Sequence, residues 1–200
     1  MELALSVCLG IGLAAACGFR VFVPLLGVSL AALAGHVQLA DGMAWMGTWP
    51  AFTCFMTATV LEVGAYYIPW IDNLLDSIST PTAVVAGTIA MGSVVTDMSP
   101  LMRWTLALIA GGGTAGLIQT ATVAIRGTST ATTAGTANWL IATLELLAST
   151  GATIISLLLP FLAAAAVVLM MICAWMYLLR RLFGNKPRPT VGSNTPTSAM

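Results

Sequence analysis

Leu3 to Gly35 is an apolar run of 33 residues. As one straight helix it would reach about 50 Å at about 1.5 Å per residue, against a hydrocarbon core of about 30 Å. The run must tilt strongly or break. Gly18, Phe19, Arg20 and Pro24 put a flexible residue, a cation and a helix breaker close together near its middle. The sequence therefore predicts two half-helices meeting near mid-membrane.

Composition extends that reading to the whole chain. Of 200 residues, 58% are hydrophobic and 7% charged, and the mean hydropathy is +0.96. Soluble domains carry about 25% charged residues, so this is an integral membrane protein whose first partner is the lipid bilayer. Seven basic and seven acidic side chains cancel, which leaves no basic face for nucleic acid. The N-terminus carries Glu2 where a secretory signal has Lys or Arg, so it reads as a retained membrane segment. Cys8, Cys17, Cys54 and Cys173 sit in apolar stretches without C-x-x-C spacing, and the lone histidine, His36, is far from them in sequence. No metal site and no cofactor is expected.

Further along, residues 36 to 50 carry Asp41, Gly42, Gly47, Trp45 and Trp49, a composition suited to a loop at headgroup level. Ala51 to Ile68 reads as a second span containing Glu62, closed by Pro69. A short amphipathic connector follows, with Asp72 and Asp76 one turn apart. Thr82 to Val95 reads as a third, short span. Leu101 to Gly135 is again too long for one simple span, and is interrupted by Gly111, Gly112, Gly113 and Gly116. Asn138 to Leu159 carries Glu145, and Phe161 to Leu182 is the last span. Residues 184–200 form a polar, proline-bearing tail expected to be disordered.

The expected architecture is all-α and polytopic, a single transmembrane domain over residues 1–183 with about six spans. Arg180, Arg181, Lys186 and Arg188 make the tail cytoplasmic by the positive-inside rule, and an even count puts the N-terminus there too. The same count puts Arg126 and the Asp72 to Asp76 connector inside, with Asp41 and Asp97 outside. A shift of 100 residues matches Gly12 with Gly112, Gly27 with Gly127, Ser29 with Ser129 and Gly35 with Gly135. Allowing for a shorter loop, Glu62 then matches Glu145, and Leu74 and Leu75 match Leu157 and Leu158. Two three-span repeats result, over about 3–97 and 101–182, each opening on a long broken helix. Three spans reverse direction in the second copy, the inverted-repeat plan of many secondary transporters. Small-residue faces at Gly12, Ala16, Gly112 and Gly116 permit a homodimer.

Four stretches occur in a recognisable order: CGFRVFVPLLGVSLAALAG, LEVGAYYIPWIDNLLDSISTPTAVVAGT, RWTLALIAGGGTAGLIQ and STATTAGTANWLIATLEL. Together, over about residues 10–182, they resemble a family of bacterial integral membrane proteins catalogued as DUF4126. Tyr66 and Tyr67 stand where many members carry an Asp-Lys pair before Ile-Pro, so no role is carried over from that lysine. The resemblance implies a membrane fold and brings no substrate or reaction with it.

The candidate solute or ion path follows from the polar residues that the spans must bury. Arg20 and Glu62, of opposite charge in neighbouring segments, suit a gate or a proton-coupled pair; the plainer reading is a fixed ion pair. Glu145 has Arg126 as its nearest cation in sequence. Around it Ser129, Thr130, Thr132, Thr133 and Asn138 supply oxygen and amide groups for a polar lining, and Gln119 is a further residue of the candidate path. Asp72 and Asp76 face water or a cation. The glycine cluster lacks the Lys and Ser or Thr of a phosphate loop and suits close helix packing instead. No catalytic set can be assembled, so no enzyme is expected. The leading expectation is a small inverted-repeat transporter or permease of the bacterial inner membrane, proton-coupled through Glu62 and Glu145. The opposing one is a structural or lipid-interacting membrane protein whose buried charges only fix helix packing.

Overall fold

A computed structural model describes residues 2–133 and 135–183. Among these there is no strand, and eight α-helices follow in order: α1 Glu2–Cys17, α2 Phe22–Leu33, α3 Trp49–Ala65, α4 Pro69–Val94, α5 Pro100–Leu106, α6 Gly113–Thr133, α7 Asn138–Leu158 and α8 Pro160–Phe183. A single 3-10 turn, Ala44–Gly47, precedes α3. A π-helical segment, Ala107–Gly112, joins α5 to α6. Residues 184–200, expected to be a disordered tail, lie outside the described residues. By contact the chain divides into two compact units, Met1–Val167 and Val168–Met200. The second holds the end of α8, with Leu169, Ile172, Trp175 and Tyr177 exposed.

Among the described residues, four stretches are long and apolar enough to cross a membrane by length and composition: Leu74–Val94, Pro100–Thr133, Asn138–Leu158 and Pro160–Tyr177. The two halves of the first apolar run are shorter apolar helices. The way α7 is built explains why this fold needs lipid around it. Its buried residues are Asn138, Ala142, Glu145, Ser149, Thr153 and Ser156, a polar stripe at helical spacing. Leu140, Leu144, Leu147 and Leu158 face outward, Leu144 at 65% and Leu158 at 73% exposure. A helix with its polar side inward is stable only where the outside is itself apolar.

The break expected near Gly18 is present, but the two half-helices do not continue across the membrane. They fold back as a hairpin. Along α1, Gly12 lies against Ser156 and the Ala16 carbonyl accepts the Ser149 hydroxyl, so α1 runs antiparallel to α7. Along α2, Arg20 reaches the Ala142 carbonyl while Gly27 lies against Thr153, so α2 runs parallel to α7. The start of α1 and the stretch after α2 consequently meet, with Glu2, Leu5, His36, Val37 and Gln38 lining one hollow of about 350 Å³ with Val94 and Thr96. We call the end of the first unit where these residues lie the first face. This hairpin returns the chain to the face where it began, so the first run is not the single crossing that the count of six spans took it to be.

The seating on α7 decides the fold-back. A Cβ at Gly12 would overlap the Ser156 hydroxyl, and one at Gly27 the Thr153 methyl. Small residues there let both arms approach α7 closely. At the turn, Gly18 packs against Ile118 and the Ala115 carbonyl of α6.

Three further expectations are corrected. The Asp72 to Asp76 connector and the Thr82 to Val95 span are one helix, α4, which passes through Pro81; the Thr82 hydroxyl bonds to the Ile78 carbonyl beside it. Pro69 does not simply end a span but starts α4, where its missing N–H costs nothing. The second long run is not broken, since Pro100–Thr133 is a single 34-residue stretch with a π segment at its glycines. There Gly111 and Gly87 meet backbone to backbone, and Gly112 and Gly116 pack on Val84 of α4. Those small faces, like Gly12 and the fully buried Ala16, are consumed within the chain. A homodimer must therefore use other surfaces.

Candidate functional site

Starting a helix inside the membrane leaves backbone N–H groups that water cannot satisfy. At the hairpin tip the Arg20 N–H still reaches the Ala16 carbonyl at 3.1 Å, and Pro24 has no N–H to satisfy. The Val21 and Phe22 N–H groups donate to the two carboxylate oxygens of Glu62, at 2.8 and 3.0 Å. Glu62 belongs to α3 and arrives from about 40 residues away. It performs the work of an N-cap for a helix that has no side-chain cap of its own. Its negative charge also faces the positive end of the α2 dipole.

Arg20, 1% exposed, projects from the same turn. Its Nη2 donates to the Ala142 carbonyl at 2.8 Å and lies 3.5 Å from Glu145 Oε2. Its Nε and Nη1 are buried without a hydrogen-bond partner among the described residues. Glu145, from α7, is engaged chiefly by Arg126 of α6. Arg126 Nε donates to Oε1 at 2.9 Å and Nη2 donates to Oε2, a two-point pairing. Arg126 Nη1 lies 3.9 Å from Asp76 Oδ1 of α4. Both guanidinium groups lie over the Tyr66 ring, at 3.8 and 4.4 Å from its centre.

Arg20, Glu62, Asp76, Arg126 and Glu145 thus gather at one place. The expected partner of Arg20 is corrected: its carboxylate is Glu145, while Glu62 binds backbone. Glu145, expected to depend on Arg126 alone, is shared by two arginines. Gln119 donates through Nε2 to Ser79 Oγ at 3.0 Å, two turns from Arg126 along α6. Asp72 lies one turn before Asp76 on α4, and its side chain is outside the described residues. Thr132 and Thr133 spend their hydroxyls on the Thr128 and Ser129 carbonyls of their own helix. Ser129 is also on α6, its hydroxyl buried, and Asn138 ties the start of α7 to Thr130 at 3.0 Å. Tyr66 and Ser149 were not anticipated as part of the site. Spacing could have found both, since Tyr66 is one turn after Glu62 and Ser149 one turn after Glu145.

With every group ionised, two arginines face three acids, a net charge of 2 − 3 = −1. Glu62 is the acid served by backbone dipoles instead of a cation. Among the described residues no cluster of His, Cys, Asp and Glu suits a metal ion.

An outward-apolar helical bundle, with charges buried at the tip of a re-entrant hairpin, defines a membrane-embedded α-helical protein. The family model described as a domain of unknown function, DUF4126, matches residues 7–180. The chain belongs to the DUF4126 family, as the four sequence stretches suggested. No curated protein and no solved structure matches it.

Proposed function

We propose that this protein is a small proton-coupled transporter or permease of the bacterial inner membrane, with the hairpin tip as its gate. One observation carries the reading: Glu62 holds the tip through two hydrogen bonds to Val21 and Phe22. Those bonds depend on a charged carboxylate, and a proton on Glu62 weakens both together. Ionisable groups inside a membrane are functional by default, and transporters place their sites where helices are interrupted. The reading assigns the chain no chemical reaction.

An inverted repeat accords with this reading. Helices α2 and α6 both end just before a glycine of positive φ, Gly35 at 74° and Gly135 at 82°, at the shift of 100 residues that aligns the two halves. Helix α3 runs away from the first face toward the hairpin tip, whereas α7, its repeat partner, runs toward the first face. The aligned acids Glu62 and Glu145 both reach the tip.

A second reading has its own support. The two-point Arg126 to Glu145 pairing and the buried Tyr66 ring are what a purely structural charge cluster requires.

Labelling by a membrane-impermeant thiol reagent separates the two readings. Single cysteines go at positions 62 and 145, in a background lacking Cys8, Cys17, Cys54 and Cys173, with reagent applied from each side. Labelling at either position, altered by pH, is expected for a gated path. Protection at both in a folded protein assigns the cluster to packing.

A further inference from the structure

We propose that the hairpin tip is a binding site for a small carboxylate anion of the formate or acetate type, whose place Glu62 occupies in the solute-free protein. The inference rests on reading the tip as a transport gate, and it names the solute class. Its basis is the geometry with which Glu62 is held. Two consecutive N–H groups, Val21 and Phe22, each take one oxygen of a single carboxylate, at 2.8 and 3.0 Å. They open a helix of 12 residues, whose dipole favours an anion at that end.

A second, independent observation points to the same ligand. Arg20, directly before Val21 and 1% exposed, keeps Nε and Nη1 without a hydrogen-bond partner among the described residues. Buried guanidinium donors left empty are costly, and a carboxylate oxygen is a strong acceptor for either of them. Arg126 meets Glu145 at two points through Nε and Nη2, whereas Arg20 meets that acid through Nη2 alone.

Charge fixes the coupling. An incoming anion and an ionised Glu62 cannot share one cradle. Binding therefore transfers the two N–H hydrogen bonds to the solute, while one hydronium ion from solution gives its proton to the displaced Glu62 carboxylate and leaves as water. The cluster's net charge is unchanged, so the solute enters as anion plus proton. The space released is that of one side-chain carboxylate, which confines the solute to a few heavy atoms.

The test is a calorimetric titration of the full chain in lipid nanodiscs with sodium formate, against sodium chloride at equal ionic strength. Saturable formate binding is expected, with one proton taken up per formate. Its apparent affinity should fall about tenfold for each unit rise in pH. Glu62→Gln should bind formate without proton uptake and with no pH dependence, and Arg20→Gln should lose binding. Absence of saturable binding in the folded wild type overturns the proposal, as does binding that Arg20→Gln leaves intact. If Glu62→Gln does not fold, the wild-type proton stoichiometry decides, and a value of zero is contradictory. Formate binding in a protein whose positions 62 and 145 stay shielded from thiol reagent would keep the anion site and remove the transport reading. Labelling without formate binding would do the reverse.

Discussion

The Glu62 Oε1 accepts the backbone N–H of Val21 at 2.8 Å, so a residue of α3 caps α2 across 41 positions of chain. The hairpin tip is thus stabilised by a helix outside the hairpin. Glu62→Ala strands two N–H groups at membrane depth and should cost about 1–3 kcal/mol. Glu62→Gln, whose amide oxygen can still accept, should lose less. The midpoint of detergent-induced unfolding in mixed micelles reads both, and an unchanged midpoint for Glu62→Ala would remove the trans-cap from the account.

Glu145 stands between two buried arginines, so its loss should be felt more than that of either cation. Glu145→Ala leaves Arg126 and Arg20 without their shared acid and should destabilise by about 3–5 kcal/mol. Combining Glu145→Leu with Arg126→Met removes both members of the closest pair and should recover a large part of that loss. The same unfolding assay measures the coupling; strictly additive losses would mean that the pair does not act as one unit.

Tyr66 contributes its ring face to both guanidinium groups. Tyr66→Phe keeps the ring and should leave stability nearly unchanged, whereas Tyr66→Leu should cost about 2 kcal/mol. Equal effects of the two substitutions would show that the ring serves only as filler.

Two neighbouring glycines should respond in opposite senses. A Cβ at Gly111 would stand 2.6 Å from the Gly87 carbonyl oxygen, and backbone there has nowhere to go, so Gly111→Ala should cost about 3 kcal/mol. Gly113, exposed with open space around it, should gain about 0.5–1 kcal/mol on Gly113→Ala through helix propensity alone. Unfolding midpoints that shift in the same direction would contradict the packing of α4 on the π segment.

The sequence made the helical membrane class and the break at Gly18 to Pro24 readable, because hydropathy, Gly and Pro act locally. What it could not convey was the direction taken after the break. A glycine and a proline permit a continuing helix and a hairpin equally, and the choice is made by Gly12 and Gly27 seating on α7, more than a hundred residues later. The four glycines of the second run illustrate the same limit. They look like an interruption, yet the helix keeps its bonds through a π segment and spends the glycines on close approach to α4. For the site, the charged residues were legible one by one, since charge in an apolar run is conspicuous. Their pairing was not: Arg20 and Glu62 attract in the abstract, but the unsatisfied N–H groups of Val21 and Phe22 outbid Arg20 for the carboxylate.

The hairpin underlies the gate, the trans-cap and the anion cradle, and sidedness tests it most directly. Single cysteines replace the exposed Leu3, at the start of the hairpin, and Gln38, after it, with Thr136, between α6 and α7, as the reference for the opposite face. An impermeant thiol reagent is then applied to one side of sealed, oriented vesicles. The account predicts that positions 3 and 38 label from the same side and position 136 from the other. Labelling of 3 and 38 from opposite sides would mean that the first apolar run crosses the membrane, contradicting the re-entrant hairpin and the site built on its tip.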